Sequence, residues 1–312
     1  MFKQDIVRRI PLLALCAILG ACTSLSETQA QSPSSPLIEG ARWHHLHINS
    51  TNPEASAAYY ERHFNAEVSA FPGADAAVKA QNAWLLFTKV DEEPSTALNS
   101  PIWHIGWGAP DPQSAYEKQQ ALGAEFVQPI TDIHGSIPRI APGRFFYMYL
   151  RSPDGTLIEL NTARTDDFGH VHMFSAEPIT AGDWYIRYFG VEGRPLSTSE
   201  TSRAPVIAPT GLQNGPSSSH QFDQVNMIIY PVEYSQTAFR KDWRETDELV
   251  SPRGNVNDHI GIEVPDLDAA LLTFKQTGVT VLEPASDLAP GIRHAFVEGP
   301  DKIAIELLEL AS

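Results

Sequence analysis

Histidine and glutamate recur in this chain at matched places. His45, His104, His170 and His259 each open a short alternating stretch: HLHINSTN, HIGWGAPD, HVHMFSAE and HIGIEVPD. A polar residue follows each histidine by seven positions: Asn52, Asp111, Glu177 and Asp266. Glu159 and Glu306 recur as well, each six residues after Pro153 or Pro300 in SPDGTLIEL and GPDKIAIEL. Imidazole and carboxylate side chains exchange protons and ligate metals. A glutamate inside TLIEL or IAIEL is an ionisable group in an apolar strand, and such groups are almost never buried unpaired.

The elements that must position these residues can be read from the same repeats. The alternating stretches are strands of about seven residues. Asn or Asp then caps a helix, with Pro at the first helical position in three copies (Pro53, Pro112, Pro178) and Gly closing three (Gly123, Gly190, Gly278). Glu177 is the poorest of the four caps. Extended sequence follows each helix, at 83–90, 144–163, 222–233 and 294–310. The chain is therefore an α+β protein of four strand–helix–strands modules. Such modules bury one sheet face and pair to close a cavity.

Four βαβββ-like units, a histidine at the start of each first strand and the PDG-x-x-x-E strand resemble the vicinal oxygen chelate superfamily, which includes glyoxalase I, extradiol dioxygenases and bleomycin resistance proteins. The resemblance covers about 42–310. It implies two paired domains, 42–163 and 169–310, joined by NTARTDDFG. It also implies metal ligands: His45, His104 and Glu159 in the first domain, and His170, His259 and Glu306 in the second. Two imidazoles and one carboxylate favour Fe(II) or Mn(II), with Zn(II) or Ni(II) as other fits. The glyoxalase pattern would need a fourth ligand, which WLLFTKV and QVNMIIY do not supply. The expected function is thus a metal-dependent, dioxygenase-like enzyme acting on a small molecule with vicinal oxygens. Its rivals are a glyoxalase I-like lyase or isomerase and a non-catalytic binder of a small aromatic or antibiotic.

Tyr149 stands ten residues before Glu159, where extradiol dioxygenases carry a tyrosine at the substrate; Phe296 holds the matching offset before Glu306. That difference assigns the chemistry to the first domain. Against ring cleavage, the late acid–base histidine of those enzymes is replaced here by Phe87, Thr88 and Lys89. By alternation His47 shares a face with His45, and His172 with His170, while His44 faces the other way. His63 reads as packing or surface, and His134, His220 and His294 have no assignment. Gly106 and Gly261 remove side chains from the face of the neighbouring histidines. Trp84, Trp103, Trp107, Phe145 and Tyr147 are candidates to line a cavity.

Composition bounds the rest. The chain has 312 residues, 42% hydrophobic and 19% charged, with a formal charge of −16. It carries no basic stripe, which excludes nucleic acid as a partner. Lys3, Arg8 and Arg9 precede the apolar run LLALCAILG, too short to span a bilayer as a mature helix, so residues 1–22 read as a secretory signal. LGAC at 19–22 resembles a bacterial lipobox, which implies acylation of Cys22 and the periplasmic face of the outer membrane, or plain secretion. The lipid would then be the protein's one membrane contact. Residues 23–41 are Ser-, Thr-, Gln- and Pro-rich and read as a flexible tether. The segment 192–219 is a long loop that could cover the second cavity.

Overall fold

The computed structural model describes residues 35–193, 203–243 and 247–311. The signal, Cys22 and most of the tether lie outside these residues, as does part of the 192–219 loop. No helix among the described residues is long and apolar enough to cross a membrane.

The four repeats fold as modules. Module one holds β1 (Arg42–Ser50), α1 (Pro53–His63), β2 (Glu67–Ser69), β3 (Ala76–Ala80) and β4 (Ala83–Lys89). Module two holds β5 (Ile102–Ala109), α2 (Pro112–Ala121), β6 (Glu125–Asp132), β7 (Phe146–Arg151) and β8 (Leu157–Thr162). Module three holds β9 (Phe168–Ser175), α3 (Pro178–Phe189), β10 (Glu192–Gly193), β11 (Val206–Ile207), β12 (Gln213–Gly215), β13 (Ser218–Phe222), β14 (Val225–Pro231) and α4 (Val232–Ala238). Module four holds β15 (Asn257–Glu263), α5 (Leu267–Thr277), β16 (Val281–Ala289), β17 (Ile292–Glu298) and β18 (Ala304–Leu310). The caps act as their chemistry requires: Asn52, Asp111 and Asp266 accept hydrogen bonds from the amides of Ala55, Ser114 and Ala269, whereas Glu177 makes no side-chain cap.

The pairing of modules differs from the expected one. One eight-stranded sheet runs β16-β17-β18-β15-β1-β4-β3-β2 and joins module four to module one. The other runs β10-β13-β14-β9-β5-β8-β7-β6 and joins module three to module two. The division into 42–163 and 169–310 is corrected accordingly: each half of the chain contributes one module to each sheet. Connection length explains the choice. Only the short stretch 163–167 separates β8 from β9, and it carries the chain across β5 so that β9 pairs antiparallel on β5's free edge. Modules one and four are left to pair through β1 and β15, also antiparallel.

The main apolar core draws on strands of both sheets and takes in the helices, with smaller clusters around Phe71 and around Trp103. Trp107 of β5 stacks on Phe64 beside α1 at 4.4 Å, and Phe274 of α5 stacks on Tyr188 of α3 at 5.0 Å. Leu46 and Ile48 enter this core fully buried, each contributing about 2 kcal/mol. His45 and His47, one position away along β1, take the opposite face, so each sheet has a core face and a histidine face.

Candidate functional site

The sheet pairing brings the predicted ligands together in new combinations. His104, His170 and Glu159 converge in the module two–three sheet, with one ligand atom from each within 4.8 Å of the others. His45, His259 and Glu306 meet in the module one–four sheet. The expected triads, His45 with His104 and Glu159 and His170 with His259 and Glu306, are therefore corrected: in each case the first-strand histidine was assigned to the wrong partner module.

The register explains both clusters. Gly106 lies between His170 on β9 and Glu159 on β8, and Gly261 between His45 on β1 and Glu306 on β18. A Cβ at Gly106 would collide with the His170 ring, and one at Gly261 with the His45 ring. Glycine here is a steric requirement of the histidine across the strand. His104 pairs with His172, and His259 with His47, in the same register.

In the second sheet, Glu159 Oε2 lies 2.9 Å from His104 Nε2 and 3.7 Å from His170 Nε2. Tyr149 donates to the same oxygen at 3.2 Å, and Asn161 Nδ2 donates to Oε1 at 2.9 Å. His104, His170 and Glu159 are 0%, 5% and 8% exposed. Burial pushes the Glu159 carboxyl up, but the imidazoles of His104 and His170 outweigh it and hold it well below the carboxylate range. Burial lowers His104 to about 4, and burial with the neighbouring His104 lowers His172 further below its ordinary value. Burial and the Glu159 charge raise the Tyr149 phenol well above its ordinary value, so it remains a donor.

This cluster opens on a cavity of about 380 Å³. Tyr147, Tyr149, Tyr230, Tyr234, Trp103 and Phe239 form much of its wall. Ala208, Thr210, Leu212 and Asn214 line it too, so the described part of the 192–219 loop covers this cavity rather than one of modules three and four. No Lys or Arg is among the described residues that line it. Of the aromatic candidates, Trp103, Phe145 and Tyr147 line the cavity; Trp107 is in the core, and Trp84 packs beside Phe71 under Lys79.

In the first sheet, Glu306 Oε2 lies 3.2 Å from both His45 Nε2 and His259 Nε2. Of the two, His45 Nε2 makes no hydrogen bond. One ring nitrogen from each of His45, His47 and His259 also lie within 4.8 Å of one another. His47 stacks on His259 at 4.4 Å and bonds to Thr88 Oγ1 at 2.9 Å. Burial pushes Glu306 up, yet His259, His294 and His45 outweigh it and hold it well below its ordinary value. Burial likewise lowers His45, while for His259 the carboxylates of Asp258 and Glu306 more than offset burial and raise it.

Three residues of the first cluster escape sequence reasoning. Asp258 Oδ1 sits 2.6 Å from His259 Nδ1, because a bulge between the His47–His259 and Ile48–Asn257 pairs leaves Asp258 unpaired and free to turn toward its neighbour. A second bulge, at His44, corrects the expectation that His44 faces away: its Nδ1 lies 2.8 Å from His45 Nδ1. His294 bonds to Glu306 Oε1; its signal was its place two residues before Phe296 on the same strand face. Elsewhere, His63 is buried against Gln119, at 2.7 Å, and stacks on Tyr59. His220 is buried beside Gly182 with neither ring nitrogen bonded.

The residues present fit a divalent cation. Both clusters gather buried nitrogens and one ionised carboxylate, and His45 Nε2 and His170 Nε2, each on the side of its glutamate, make no hydrogen bond.

Comparison with known proteins agrees with the fold. No curated protein matches the sequence at a significant level. Glyoxalase I from Zea mays superposes with a TM-score of 0.59 at 14% identity, covering 86% of this chain and 92% of that one. A point mutant of the same maize enzyme gives 0.60 at 13% identity, covering 86% and 94%. A Bacillus subtilis protein provisionally assigned as a dioxygenase gives 0.55 at 9% identity, covering 87% and 86%. At such identities the likeness speaks to fold and not to reaction. The family model of the Glyoxalase/Bleomycin resistance protein/Dioxygenase superfamily matches residues 42–160. Over those residues the chain is similar to this superfamily, and its fold is that of the glyoxalase I structures across most of its length.

Proposed function

We propose that the protein is a metal-dependent, dioxygenase-like enzyme whose chemistry takes place in the cavity of modules two and three, on a small uncharged molecule with vicinal oxygens. The observation that carries this reading is the convergence of His104, His170 and Glu159 at an aromatic-lined cavity of about 380 Å³. A bound cation, with Fe(II) or Mn(II) favoured, would act as a Lewis acid on adjacent ligand oxygens. The chain's own groups do the rest. Glu159 stays ionised, and Asn161 and Tyr149 fix its orientation. The Tyr149 phenol keeps its proton and is placed to share it with a ligand oxygen beside Glu159. The aromatic wall excludes water and holds a flat apolar body.

The lack of a described Lys or Arg in the lining argues against a glyoxalase-type anionic thiol adduct, whose carboxylates would need cationic partners. The same wall favours one further reading, a binder that needs no metal. O₂ uptake by the Fe(II)-loaded chain lacking residues 1–22, measured against a panel of catechol-type compounds, separates these. Substrate-dependent uptake that disappears in Glu159→Gln is expected. Tight ligand binding with no metal dependence and no uptake would contradict the enzyme reading.

We further propose that the chain is exported and acylated at Cys22. Membrane fractionation checks this: Cys22→Ser is expected to release the protein into the soluble exported fraction, and no change in partition would contradict it.

A further inference from the structure

The first cluster shares residue types with the second but differs in its surroundings. The aromatic-walled cavity that takes in Glu159, His170 and His172 is, among the described residues, lined by none of His45, His259 and Glu306. The Arg253 guanidinium lies 4.3 Å over the Phe296 ring and reaches Asp258 at 3.3 Å and Glu283 at 3.1 Å. His47 stacks on His259 on the neighbouring side. Where the second cluster meets an aromatic-walled cavity, the first meets other side chains.

Its candidate ligands are also braced from behind. Asp258 holds His259 Nδ1 and so turns Nε2 toward Glu306. Asp258 is fixed in turn by the amide of Gly254 at 2.6 Å and by Asn49 Nδ2 at 3.0 Å. His294 holds the second oxygen of Glu306, and His44 sits at His45 Nδ1. Carboxylates behind a ligating histidine fix its tautomer and raise its basicity. The register position of Asp258 is occupied in the second cluster by Trp103, and His104 Nδ1 has no partner.

Topology adds the third observation. His45 belongs to module one, and His259 and Glu306 to module four, at opposite ends of the folded chain. A metal ligated by all three would close a loop that spans modules two and three. Clips that close long loops constrain the unfolded chain strongly, and metal binding becomes folding free energy.

We propose that the first cluster is a structural metal clip that fastens module one to module four and takes no substrate, with Asp258 as its positioning residue. The proposal rests on the metal reading of these clusters given above.

Competition of Zn(II) between a chromophoric chelator and the full mature chain, with the melting temperature measured at each loading, tests it. The wild type is expected to bind two equivalents, with the tighter one accounting for most of the rise in melting temperature. Asp258→Asn is expected to weaken that equivalent by about 10–100-fold, to lose the corresponding thermal gain and to leave the other equivalent unchanged. The retained equivalent reports that the variant is folded. His104→Ala is expected to lose the weaker equivalent with little thermal change. Unchanged affinities in Asp258→Asn, or a thermal gain lost in His104→Ala and kept in Asp258→Asn, would overturn the clip while leaving the metal reading standing. No Zn(II) bound by the wild type would overturn both.

Discussion

The two histidine clusters are built on one plan and diverge at five register positions. Glu159 and Glu306, His104 and His259, His170 and His45, His172 and His47, and Gly106 and Gly261 correspond strand for strand. Around them, Trp103 replaces Asp258, Gly169 replaces His44, Tyr149 replaces Phe296, Tyr147 replaces His294 and Asn161 replaces Leu308. In the second cluster the exchanged positions carry aromatic groups toward a cavity and hydroxyl or amide donors toward Glu159. In the first, Asp258, His44 and His294 grip the candidate ligands, while Phe296 and Leu308 are apolar. Equivalent ligands can thus serve different ends, decided by the residues just outside them.

The largest expected effect comes from removing one carboxylate. Glu159→Gln should abolish O₂ uptake and one metal equivalent while the first cluster keeps its own; loss of both equivalents, read by mass spectrometry, would mean the clusters are not independent. Adding a methyl group should be nearly as severe. Gly106→Ala drives a Cβ into His170 and Gly261→Ala into His45, so each should cost the metal of its own cluster only. Retention of metal in both variants would show that the rings can move aside.

Acid should expose the burial of both clusters in the metal-free chain. His104, His45, His47 and His172 are all held below the ordinary value of 6.5, with His104 at about 4. The unfolded chain then takes up protons first as pH falls below 6.5, so stability is lost from there down toward pH 4. Glu159 and Glu306, held low, add a loss below the ordinary carboxylate range. His259 is raised and works in the opposite direction: its contribution is present below 6.5 and fades as pH rises above it. With His44, which burial lowers to about 3, five lowered imidazoles outweigh one raised, so the denaturation midpoint should fall between pH 7 and 5, and a rising midpoint would contradict this assignment. The smallest effect should be that of Tyr149→Phe, about tenfold in kcat, the worth of one hydrogen bond, with metal content unchanged.

Much of this was legible in the residues. The repeated histidine, the cap seven positions on and the turn before each glutamate marked four modules and six candidate ligands correctly placed on strands. Module pairing was not legible, because alternation fixes which face His45 takes but not which edge of β1 meets β15 or β5. That is set by how far 163–167 can carry the chain. Asp258 and His44 were hidden for another reason. Both sit at bulges, where one extra residue breaks the period-two rule on which face assignment depends. Trp103 shows the same effect, lining the cavity next to His104 on the same strand.

The central claim is that ligands come together across modules two and three and across modules one and four. Metal content of two double variants tests it directly. His104→Ala with His170→Ala should lose one equivalent and keep the other, whereas His45→Ala with His104→Ala should lose both. The reverse, one equivalent lost when His45 and His104 are removed together and two lost with His104 and His170, would contradict the account.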